Sequence, residues 1–128
     1  MLRQLNKYVL NPALIRLAGG KHGSAAVIWH TGRRSGAIYV TPVVALRVAD
    51  GFIIPLPYGT GVNWLRNVMA AKRATIRVRR ETYEVSQPEI IDSATAVSQL
   101  SESRRRTFGG FGIKNFLKIQ SVPDRDSH

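Results

Sequence analysis

The chain has 128 residues, 44% of them apolar, with 19 basic against 8 acidic side chains and a net charge of +11. That length suits a single domain with one core, and the apolar share excludes a disordered chain. The absence of cysteine excludes disulfides, thiolate metal sites and cysteine nucleophiles. The charge favours an anionic partner, and the dominance of arginine over lysine leans towards bidentate recognition of phosphate or carboxylate.

Leu2, Leu5, Val9, Ala13 and Leu17 recur at helical spacing, with Arg3, Lys7 and Arg16 elsewhere around the wheel. Residues 1–20 are therefore expected to form a basic amphipathic helix with a break at Asn11-Pro12. Such a helix either packs over the end of a barrel or rests on anionic lipid through residues 1–18. Its cations interrupt every apolar run, so neither a secretory signal nor a membrane span is expected. The expected location is the cytoplasm, at most peripheral to the inner face of the cell membrane.

From residue 25 the period changes. Ala25 to His30 and Tyr39 to Ala49 read as strands, the second bent at Pro42. Asp50-Gly51 is a hairpin signal leading into a strand from Phe52 to Tyr58, which Gly59-Thr60-Gly61 ends. Val62 to Ala71 carries a helical stripe of Val62, Leu65, Val68 and Met69, with Thr60 or Asn63 as its cap. Thr75 to Arg79 and Thr82 to Val85 form a hairpin that Ile90 and Ile91 prolong. Asp92 or Ser93 caps a further helix through about Leu100. Residues 92–120 are expected to be a C-terminal helical segment containing Arg104, Arg105 and Arg106, followed by a frayed polar tail from Val122. Short strands with one central helix give a mainly β, α+β domain spanning 1–128. Its barrel core occupies 25–91 as a small closed or half-closed antiparallel barrel.

The most informative stretch is Thr31-Gly32-Arg33-Arg34-Ser35-Gly36, a glycine-bracketed turn between two strands. It is expected to expose several backbone N–H groups and two guanidinium forks at one point, which suits an anion. The competing reading is a solvated hairpin tip. His22, His30 and His128 are unclustered and no H-E-x-x-H pattern occurs, so no metal site is expected. His30 alone reads as a satisfied strand histidine. No G-x-S-x-G elbow supports hydrolysis, and no R-G-F-type or cold-shock motif supports nucleic-acid binding.

In order along the chain stand H-T-G-R-R-S-G, T-P-V, a D-G hairpin, P-Y-G and N-W-L-R-N, then a strand ending in basic residues. This order, from about Ala26 to Val85, resembles the deazaflavin-dependent nitroreductase family. Its members are small actinobacterial split β-barrels, akin to flavin reductases and pyridoxamine oxidases, that use the deazaflavin coenzyme F-420. The resemblance implies that Arg33, Arg34, Ser35 and Gly36 hold the coenzyme's phosphate and acidic tail. It places Tyr39, Thr41 and Pro42 beside the deazaflavin ring, and Pro57, Tyr58 and Gly59 in the loop facing it. Trp64 and Asn67 match the helix that closes the pocket. Each has a plain alternative: Trp64 as core, Asn67 as a cap, Tyr39 as barrel wall.

The implied activity is hydride transfer from the reduced coenzyme to a small electrophilic acceptor such as a quinone, enone or nitro compound. Tyr58 is the candidate proton source, and FMN is the alternative coenzyme. Tyr39 and Tyr58 stand where many relatives carry basic residues, and the C-terminal part lacks the family's tyrosine-rich substrate segment. A different class of reading is a non-catalytic carrier of deazaflavin, lipid or quinone at the membrane surface. Either a monomer or a homodimer is compatible with the pattern.

Overall fold

The computed structural model describes residues 2–5, 25–109 and 112–122. Eight strands form one sheet in the order β1-β3-β2-β6-β7-β8-β5-β4. These are β1 (Leu2–Leu5), β2 (Ala25–Thr31), β3 (Ile38–Val44), β4 (Leu46–Val48), β5 (Gly51–Pro55), β6 (Arg73–Val78), β7 (Glu81–Asp92) and β8 (Asn115–Ser121). Three helices accompany them: α1 (Asn63–Ala71), α2 (Ser93–Ser98) and α3 (Glu102–Gly109). All pairings are antiparallel except β1 with β3. β3 and β4 lie near opposite edges of the sheet yet are one stretch of chain interrupted only at Ala45. That continuity folds the sheet back on itself and produces a half-closed barrel.

The core follows from alternation along the strands. Ile28 faces Ile76 across β2 and β6, and Phe116 on β8 faces Ile91 on β7. Ile28, Ile53, Ile54, Leu65, Ile76, Leu117 and Ile119 are fully buried. β5 is buried along its whole length because β4 and β8 flank it on both edges. Its Gly51 is required by close approach rather than by dihedral freedom: a Cβ there would lie 2.1 Å from the Ile119 carbonyl oxygen.

Several expectations are corrected. Leu2–Leu5 is a strand paired in parallel with β3, because its backbone completes an otherwise open sheet edge. The rest of the expected N-terminal helix lies outside the described residues, as does the tail beyond Val122. The C-terminal segment is not purely helical. Residues Asn115–Ser121 form β8, which sits between β7 and β5, so the barrel extends well past residue 91. Its Phe116, Leu117 and Ile119 are buried by strand pairing, a tertiary context that local pattern does not reveal. Neither Thr60 nor Asn63 caps α1. The cap position is Val62, without a side-chain bond, and the helix ends on Lys72 in the left-handed region. Asp92 does cap α2, its carboxylate accepting from the Thr95 N–H at 2.8 Å.

Candidate functional site

The arginine turn closes on itself. The Gly32 N–H donates to the Ala37 carbonyl at 2.7 Å, and the Gly36 N–H to the Gly32 carbonyl at 2.9 Å. The Ala37 N–H donates to Ser35 Oγ at 3.1 Å. Gly36 takes φ +75°, and a Cβ on Gly32 would meet the Tyr39 ring at 2.9 Å. Three backbone donors are thus spent within the turn and the Arg33 N–H on helix α1, which leaves fewer exposed than the sequence expectation. Among the described residues, the N–H groups of Arg34 and Ser35 remain without a protein acceptor.

Arg33 is fixed by helix α1. Its backbone N–H donates to Asn67 Oδ1 at 3.1 Å, and its Nη1 donates to the same oxygen at 2.7 Å. Asn67 in turn lies 3.0 Å through Nδ2 from His30 Nδ1, and His30 Nε2 lies 2.9 Å from Thr41 Oγ1. His30, Thr41 and Asn67 are all buried. The backbone N–H of Arg33 can only donate, so Asn67 must turn its oxygen that way and its amide towards His30. His30 Nδ1 must then accept, which puts the imidazole proton on Nε2, where it donates to Thr41. Burial agrees with this neutral form, pushing the His30 pKa down to about 4. The Tyr39 ring stacks on His30 with centroids 5.8 Å apart.

The electrostatics of the turn are unbalanced. Partial desolvation, then the charges of Arg66 and Arg34, hold the Arg33 guanidinium below its usual pKa. Arg33 Nη2 also reaches Asn63 Oδ1, at a long 3.5 Å. Arg33 thus feels the charges of two further arginines, and no carboxylate forms an ion pair with any of the three among the described residues. Such a cluster suits an anion with more than one charge.

Beside the turn is an open cleft lined by Pro42, Pro55, Leu56, Pro57, Tyr58, Gly59, Val62 and Trp64. It encloses about 250 Å³ with its mouth included, and its sheltered part has room for about one water. Tyr58 is 48% exposed at the rim, whereas Trp64 is only 5% exposed and belongs to the core as well as to the wall. Gly59 has φ +84°, which turns the chain after Tyr58. Two elements join the cleft to the turn: β3, through adjacent Thr41 and Pro42, and α1, where Trp64 and Asn67 stand one turn apart.

The structure accordingly gathers the expected residues into two adjoining groups. Arg33, Arg34, Ser35, Gly36, Tyr39, Thr41 and Asn67 belong to the turn and its buried network. Pro42, Pro57, Tyr58, Gly59 and Trp64 line the cleft. The side chains of Thr41 and Asn67 are engaged within the protein, so their hold on any ligand is indirect. His30 is the satisfied strand histidine that its isolated position suggests. Sequence reading missed Asn63 and Arg66. The signal was present in N-W-L-R-N, where positions 63, 66 and 67 share one helical face.

Among the described residues no group of three or more His, Asp or Glu side chains is placed to hold a metal. No helix among them is long and apolar enough to cross a membrane.

No family model matches the sequence, and no curated protein matches it. Among solved structures, the fold is similar to that of HutZ, the heme storage protein from Vibrio cholerae. The TM-score is 0.58 at 10% sequence identity, over 91% of this chain and 93% of that one. A second solved chain aligns with a TM-score of 0.49 at 15% identity, over 90% of this chain and 86% of its own length. The similarity to HutZ establishes a split-barrel-like fold.

Proposed function

We propose that the barrel binds a deazaflavin coenzyme and acts as a reductase on a small electrophilic acceptor such as a quinone, enone or nitro compound. The observation that carries this reading is that helix α1 both holds the arginine turn, through Asn67, and lines the proline-aromatic cleft, through Trp64. A phosphate and an acidic tail fit Arg34, Arg66 and the Arg34 and Ser35 N–H groups. The open cleft, shallow as it stands, offers Pro57, Tyr58, Gly59 and the edge of Trp64 to a planar ring lying across its rim. When bound, the reduced coenzyme supplies a hydride. The chain's part is to hold the anionic end, keep water from one ring face and offer the Tyr58 hydroxyl, at the rim, as proton source for the reduced acceptor.

The fold of a storage protein also supports a carrier without turnover. Haem itself is not favoured, because His30 is the only histidine among the described residues and both its ring nitrogens are engaged. A fluorescence titration with oxidised deazaflavin, run beside FMN, tests the proposal. Selective binding that is lost in Arg33→Ala/Arg34→Ala is expected, followed by oxidation of the reduced coenzyme by at least one acceptor. Binding without oxidation by any acceptor supports a deazaflavin carrier, and binding of neither coenzyme refutes the reductase and leaves a carrier of lipid or quinone.

A further inference from the structure

We infer that His30 and Asn67 are the positioning residues of the arginine turn, and that the proton state of His30 decides whether Asn67 can hold Arg33 in its anion-receiving place. This deepens the proposed function and rests on it only for the identity of the anion.

The inference follows from donor and acceptor counting. Asn67 Oδ1 accepts two bonds from Arg33, while its amide is committed to His30 Nδ1. A proton added at Nδ1 would place two donors against each other across 3.0 Å. The relief is rotation of the Asn67 amide, which would turn its NH2 towards the Arg33 N–H and guanidinium. Both Arg33 bonds are then lost together, and among the described residues the turn keeps only the Asn63 contact as a side-chain tie to α1. The Asn63 contact at 3.5 Å is too long to replace them.

Among the described residues, the surroundings of His30 offer nothing that would balance the extra proton's charge. β3 contributes Tyr39 and Thr41, and α1 contributes Asn67, with the Arg33 cation behind it. Thr75 on β6 and its partner Glu84 on β7 pair beside Trp29, whose side chain takes the opposite face of β2. An imidazolium would therefore be buried without a carboxylate. The neutral tautomer is the form that holds the turn.

The experiment is nitrogen-15 NMR on the full chain, wild type beside Asn67→Leu and Asn67→Asp, with deazaflavin titrations in parallel. In the wild type at neutral pH, the proton is expected on Nε2 and the Arg33 amide is expected to be strongly protected from exchange. Asn67→Leu should lower that protection at least tenfold and weaken coenzyme binding by a similar factor. Asn67→Asp keeps an acceptor for Arg33 but cannot donate to Nδ1. It should preserve Arg33 protection and raise the His30 pKa into the neutral range, a signature that a merely structural role would not produce. If Asn67→Leu fails to fold, the aspartate variant alone decides. A proton on Nδ1 in the wild type, undiminished Arg33 protection in Asn67→Leu, or unchanged His30 titration in Asn67→Asp overturns the inference. Should these signatures appear while the wild type ignores deazaflavin, the positioning stands and the coenzyme assignment fails.

Discussion

Lowering the pH from 7 to about 4.5 should destabilise this protein mainly through one buried side chain. His30 has a folded pKa of about 4 against 6.5 for the free group. The unfolded chain therefore takes up its proton first as the pH falls. The stability that His30 contributes is complete above pH 6.5, drains away as pH drops through the window to 4, and is gone below it. With each pKa unit equal to about 1.36 kcal/mol, the full window corresponds to a loss on the order of 3 kcal/mol. That is a large share of the 5–15 kcal/mol typical of a domain, roughly stated. The two aspartates with lowered pKa do not blur the window. Asp50, held down by Lys118, and Asp92, held down by Thr95, lose their contributions only as pH falls below their ordinary 3.8.

Urea unfolding of wild type and His30→Asn at several pH values between about 7 and 4.5 measures the effect. The asparagine oxygen can take the place of Nδ1 as acceptor but gains no proton in this range. The wild type should lose stability with a slope that peaks at about 1.2 kcal/mol per pH unit near the middle of the window, and the variant should be flatter. Equal slopes in the two proteins, or a wild-type midpoint that does not move, would refute the neutral, doubly bonded histidine.

Other perturbations isolate other parts of the fold. Gly51→Ala places a methyl 2.1 Å from the Ile119 carbonyl oxygen, so thermal unfolding should show severe destabilisation or no folded protein. Arg79 and Arg80 both have positive φ in the β6–β7 hairpin, and Arg79→Asn/Arg80→Gly should raise stability by about 1–2 kcal/mol in urea titrations. Asp92→Ala removes the α2 cap and should lower the melting temperature by a few degrees, about 3 °C. Arg33→Ala should lower both the melting temperature and anion affinity, whereas Arg34→Ala should weaken only the affinity, since Arg34 has no protein partner among the described residues.

The central barrel was legible because its signals are local. Asp50-Gly51 sits at a tight turn between β4 and β5, and the apolar stripe over 62–71 became α1 with Trp64, Leu65 and Val68 buried. What local pattern could not show was pairing at a distance. Asn115–Ser121 reads as apolar residues after a basic helix, and only β5 and β7 on either side make it a central strand. Leu2–Leu5 likewise has helical spacing but is claimed by the edge of β3. In the site, the turn, the P-Y-G loop and N-W-L-R-N were all visible as sequence. Hidden from it was how each donor is used: four residues of the turn spend backbone N–H groups inside the protein, on Ala37, Asn67, Gly32 and Ser35. Residue identity states what a group can bind, and only the fold states what it already binds.

This division of donors bears on what the site selects. A free arginine hairpin would attract any polyanion, with a strength set by charge and salt. Here the turn is tied through Asn67 to a helix whose preceding turn carries Trp64, a wall of the cleft. The turn, through Asn67, and one wall of the cleft, through Trp64, are therefore both tied to the same helix. Under the proposed function, a molecule carrying a charged group and a planar ring would engage both at once, while inorganic phosphate would gain only the first. Discrimination between the two would then come from the Asn67 tie rather than from the arginines, which would attract both alike.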